Sequence, residues 1–80
     1  MKNRLLDHLA KKRRTFVPNL RIQSELKWTV LGDLYRFKNK EQYSLKEWED
    51  AVSYLLGCEI QFQNYEEIGK SLKPFSLNVR

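Results

Sequence analysis

The sequence predicts an α+β fold rich in helix: three to four short helices with a minimal two-stranded sheet near the C-terminus, in a single small domain over residues 1–80. Three observations carry this expectation. Residues 44–57 show a helical apolar stripe between a capping signal and a glycine. Residues 58–63 and 75–79 alternate apolar and polar with the period of a strand. The 80 residues are 41% hydrophobic and 12% aromatic, which is enough for one small core and too apolar for a disordered tail.

Taken in chain order, residues 3–14 read as a first helix. Asn3 is a good N-cap, Leu5, Leu6 and Leu9 form the apolar stripe, and the basic end suits the negative pole of a helix dipole. Pro18 disfavours the helical conformation at Val17, so a break is expected near Thr15–Val17. Residues 24–37 admit two readings. As a helix from Ser24, Leu26, Val30, Leu34 and Phe37 share one face. As a hairpin, Leu26, Trp28 and Val30 alternate with polar residues, and Gly32-Asp33 is the turn. The helix is preferred because it gathers more large apolar residues on one side.

The third helix spans 44–57. Ser44-Leu45-Lys46-Glu47 is a capping box, Leu45, Trp48, Val52, Leu55 and Leu56 are its stripe, and Gly57 is suited to a left-handed end. Lys46, Glu49, Asp50 and Ser53 are expected to face solvent. Cys58, Ile60 and Phe62 then mark a short strand. Asn64 caps a last helix that buries Tyr65, Ile68 and Leu72 and stops at Pro74. Phe75, Leu77 and Val79 mark a terminal strand pairing with 58–62. The same terminal stretch has a few helix-turn-helix features, but Lys73, Pro74 and Phe75 stand where a turn glycine, an aliphatic and a capping serine belong.

Composition removes most chemistry. One cysteine, Cys58, rules out an internal disulfide and a cysteine-based zinc site. One histidine, His8, leaves a cysteine nucleophile without a base close in sequence. Gly32, Gly57 and Gly69 are isolated, so there is no glycine-rich phosphate loop. The expectation is therefore a non-enzymatic protein with no cofactor, no metal and no small-molecule substrate. No apolar run approaches the length of a membrane span. The lack of a disulfide framework points to a reducing, cytoplasmic setting, and the basic start is read as mature protein. A core this small is compatible with a homodimer.

What remains is charge. The formal net charge is +5. Residues 1–40 hold eleven Lys and Arg against three Asp and Glu, a net +8, whereas residues 41–80 hold four against seven, a net −3. Such asymmetry suggests an anionic partner for the first half. Lys11, Lys12, Arg13 and Arg14 are consecutive, so some of them point outward in any helical register. Cations of this kind neutralise phosphates and release counterions, which drives sequence-independent nucleic-acid binding. Arg21 and Lys38 are the next candidates, and Lys27, Arg36 and Lys40 could extend the patch. Phe16, Trp28, Tyr35 and Tyr43 lie among them and could stack on bases if exposed, with Phe16 and Trp28 the two singled out. The expected function is a small basic nucleic-acid-binding protein, regulatory or accessory, for DNA or RNA. The alternative is an interaction module docking on an acidic protein surface, with the same cations steering and Phe16 or Trp28 as anchors. A solvated basic face is the bland alternative to both.

Overall fold

The computed structural model describes residues 3–78. Among them there is helix and no strand: α1 (Arg4–Lys12), α2 (Val17–Ile22), α3 (Ser24–Tyr35), α4 (Leu45–Leu56) and α5 (Tyr65–Leu72), with 3-10 turns at Lys40–Gln42 and Lys73–Asn78. The fold is all-α, so the expected two-stranded sheet is absent and the α+β class is corrected.

Local chemistry sets the helix ends. Asn3 caps α1 by accepting from the Leu6 N–H at 3.0 Å, and its Nδ2 donates to the Glu47 carbonyl at 2.9 Å. A single buried amide thus starts one helix and ties it to another. The helix stops two residues earlier than expected. Arg14 turns left-handed (φ 54°), its N–H donates to the Lys11 carbonyl, and the Thr15 N–H donates to the Ala10 carbonyl at 2.9 Å. This pair of bonds is the Schellman motif, with Arg14 where glycine is usual.

The chain then re-enters helix at once. Pro18 lies in the first turn of α2, where its missing N–H is one that no helix would satisfy. The break is real, but Pro18 opens a helix that the sequence reading did not separate from its surroundings. Gln23, in an extended conformation, is both the end of α2 and the start of α3.

α3 touches α2, α4, α5 and the terminal 3-10 turn, while α1 packs on α2 and α4. Val30, Leu31, Gly32, Asp33 and Leu34 are consecutive and all buried. Over these five residues every side of the helix is buried and no apolar stripe can be read, although Ser24, Glu25 and Trp28 in its first half are exposed. Residues 24–37 were therefore open between helix and hairpin in sequence, and packing decides for the helix.

The caps of α4 and the burial of Trp48, Val52 and Leu55 follow expectation, whereas Leu45 and Leu56 are half-buried. Ser44 accepts from the Glu47 N–H at 3.2 Å, Glu47 accepts from the Ser44 N–H at 3.1 Å, and Gly57 closes the helix at φ 73°. Trp48, Ala51, Val52 and Leu55 are buried. Asn64 caps α5 by accepting from the Glu67 N–H at 3.0 Å, and Ile68 and Leu72 are buried beneath it.

The two expected strands fail for one reason: neither finds a partner strand. The N–H of Ile60 donates to Ser53 Oγ at 2.8 Å and that of Phe62 to Glu49 Oε2 at 2.9 Å. Ser53 and Glu49 are four apart on α4, so one helix face does for residues 58–63 what a second strand would have done. Those two side chains thus hold the loop, where the sequence reading had them facing solvent. The terminal segment coils into 3-10 turn against α3 and stacks Phe75 on Trp28, with ring centres 5.3 Å apart and planes 20° apart. Val79, the last apolar residue of the expected terminal strand, lies outside the described residues.

Candidate functional site: a cationic corner

The corner is built around a buried acid. Asp33 lies in the last turn of α3, with its side chain only 3% exposed. A carboxylate there opposes the helix dipole and needs cations to offset both that and its burial. Arg13, just past the end of α1, donates to Asp33 Oδ2 from Nε at 3.0 Å and also from Nη2. Arg36 donates from Nη2 to Oδ1 at 3.2 Å, and Lys12 Nζ lies 3.9 Å from the same oxygen. One carboxylate thus draws three cations together and pins the C-terminal end of α1 against that of α3.

Chain connectivity brings the rest. Lys11 and Arg14 flank the pinned pair and are exposed, and Lys38 follows Arg36 by two residues and is also exposed. Among the described residues none of these three has an ion-pair partner. Lys40 belongs to the same end of α3 but is half-buried. Its Nζ donates to the Tyr35 and Phe37 carbonyls at 3.0 and 2.9 Å, capping α3, and burial lowers its pKa.

The predicted site residues therefore separate. Lys12 and Arg13 come together with Arg36, named only as an extension, on Asp33, and Lys11, Arg14 and Lys38 are exposed beside them in the chain. Arg13 is held by Asp33 and acts as a brace for the corner. Arg21 goes elsewhere: its guanidinium lies over the Tyr54 ring at 5.4 Å, beside a groove of about 440 Å³ that also contains Glu49, Asp50 and Glu59. Lys27 lies over the Trp28 ring at 5.8 Å, nine residues and so about 13 Å along α3 from Arg36.

The two aromatic candidates also differ. Trp28 is 40% exposed, but Phe75 stacks on it and Lys27 lies across it. Phe16 is 78% exposed, two residues from Arg14, and has no ring or cation partner among the described residues. Ile22, at the other end of α2, is 74% exposed. The sequence reading missed Asp33 as organiser because it considered the residue only as half of a turn in the hairpin alternative and gave it no part in the preferred helix. The available signal was a lone acid inside the apolar run Val30–Leu34 of the basic half.

Among the described residues, no group of three or more His, Cys, Asp or Glu could hold a metal ion. None of the described helices is long and apolar enough to cross a membrane. No protein family, curated protein or solved structure matches the chain.

Proposed function

We propose that the protein is a small nucleic-acid-binding protein, regulatory or accessory, that takes the phosphate backbone at the corner where α1 and α3 end. The observation that carries this reading is the convergence of Lys12, Arg13 and Arg36 on the buried Asp33. It fixes one small area in which three cations meet a single carboxylate, while Lys11, Arg14 and Lys38 adjoin them in the chain and have no ion-pair partner among the described residues. Arg13 braces the corner, while Lys11, Lys12, Arg14, Arg36 and Lys38 meet phosphates. Sequence-independent contacts of this type give affinity without base specificity. Arg21, among the carboxylates beside Tyr54, has no part in it.

The test is a titration of labelled DNA and RNA at several salt concentrations, read by fluorescence anisotropy. With four to five phosphate contacts, log affinity falls against log salt with a slope of roughly −3 to −4. The double variant Lys11→Ala, Arg14→Ala flattens that slope by about 1.5 and leaves the fold intact. Arg13 is a poor choice of variant because its loss exposes the packing of Asp33. Absence of binding at low salt refutes the reading. An acidic protein surface then becomes the better account, favoured by the exposed side chains of Phe16 and Ile22 at the two ends of α2.

A further inference from the structure

Two residues in the short link from α1 to α2 depart from what their positions favour. Arg14 is left-handed at the end of α1, where glycine is the usual occupant. Phe16 is the N-cap of α2 and offers no side-chain hydrogen bond, where Ser, Thr, Asp or Asn would supply the missing acceptor. Phe16 is also the most exposed large apolar side chain among the described residues. Local departures that gain nothing for the fold concentrate at functional positions.

The backbone that carries Phe16 is well held. The Thr15 N–H donates to the Ala10 carbonyl at 2.9 Å, and Asn19 Nδ2 donates to Thr15 Oγ1 at 2.9 Å. The Phe16 carbonyl accepts from the Asn19 N–H at 3.0 Å, and Pro18 stiffens the turn that follows. The ring is thus presented to solvent from an ordered stalk, two residues after Arg14, a cation with no ion-pair partner among the described residues. The other candidate platform, Trp28, already has Phe75 stacked on it.

We propose that the strand bound at the cationic corner is single-stranded, with a base stacked on the face of Phe16 while Lys11 and Arg14 hold the adjoining phosphates. This deepens the reading given above and rests on it. The face of a base is free in a single strand, whereas in a duplex it is covered by its neighbours and reaching it requires unstacking. Aromatic stacking is indifferent to base identity, which agrees with a corner that otherwise offers only phosphate contacts.

The experiment compares short labelled oligothymidylate, oligouridylate and a duplex of equal length, at one low salt concentration. The variants are Phe16→Ser, Phe16→Trp, Phe16→Leu and, as a control, Ile22→Ser, with folding checked by circular dichroism. Phe16→Ser is a favourable N-cap, so loss of the fold is not expected. The expected result is tighter binding of the single strands than of the duplex. Single-strand affinity falls about tenfold or more in Phe16→Ser and in Phe16→Leu, is kept in Phe16→Trp, and is unchanged in Ile22→Ser. Duplex affinity does not respond to any change at Phe16. Retention by Phe16→Leu, or an equal loss in Ile22→Ser, overturns stacking in favour of an apolar docking face for a protein. Equal affinity for duplex and single strand overturns this inference and leaves phosphate binding standing. No binding to any of the three probes removes both.

Discussion

Arg14 should pull stability and binding in opposite directions. Its φ of 54° is a left-handed conformation that costs a side-chain-bearing residue about 1–2 kcal/mol, while glycine adopts it freely. Part of that gain is offset because glycine has more freedom to lose on folding, about 0.5–1 kcal/mol. Arg14→Gly is therefore expected to stabilise the protein by about 0.5–1 kcal/mol. For a domain of this length that raises Tm by roughly 2–8 °C. The same substitution removes one exposed cation, so the salt slope of nucleic-acid binding should flatten by about 0.7–0.9. Arg14→Ala separates the two effects, since it keeps the strained backbone and removes the same charge. Its Tm should stay within about 2 °C of the parent while its binding matches that of Arg14→Gly. Thermal melts followed by circular dichroism, beside anisotropy titrations, give both quantities. A lower Tm for Arg14→Gly would refute the strain argument, and an unchanged salt slope would remove Arg14 from the binding surface.

Three further predictions concern the polar contacts that hold the fold. Asp33→Asn keeps the side-chain shape but leaves Arg13 with a neutral partner. With Arg13 still about a third exposed, a loss of about 2–3 kcal/mol is expected from a total of roughly 4–12, lowering Tm by roughly 8–20 °C; a shift below about 2 °C would show that the cluster does not organise the fold. Glu47 is held down to about 2, chiefly by the two hydrogen bonds from Arg4 at 2.8 Å. Because its folded pKa lies below its ordinary 4.5, its contribution is complete above about pH 4.5 and is lost as pH falls toward 2. Glu47→Gln should flatten stability against pH in that window, as measured by urea unfolding at stepped pH. Ser53→Ala removes the acceptor for the Ile60 N–H at a half-buried site and should cost about 1 kcal/mol, with faster amide exchange confined to residues 58–63. Exchange that rises equally throughout the chain would argue against loop capture by α4.

Local chemistry made part of this fold legible in the sequence. Caps at Asn3, Ser44 and Asn64 and the stop at Gly57 act within three or four residues, and each stands where the sequence puts it. The same holds for the apolar stripe of α4, because that helix keeps one solvated side. The strand readings of 58–62 and 75–79 failed because alternation speaks at most to shelter, and even there Phe62 is buried and Ile60 half-buried while Cys58 is exposed. Alternation cannot tell whether a strand or the side chains of a helix will satisfy the backbone. Here Ser53 and Glu49 took that part, a pairing across seven and thirteen residues that no local pattern announces.

The charge division shows the same limit. The sequence by itself determined that the positive charge lies in residues 1–40 and opens on a tetrabasic run. Only the tertiary structure decided which cations share a surface. A buried carboxylate recruits its counter-charges from wherever the helices converge, so Asp33 gathers Arg13 from twenty residues before it and Arg36 from three after. Arg21, nearer to Arg13 in sequence than Asp33 is, was drawn instead to the ring of Tyr54. The sequence likewise determined where the large apolar residues of 24–37 lie. It took burial on every side of Val30–Leu34 to make the segment a helix, because once packing surrounds a stretch its own pattern no longer distinguishes a face.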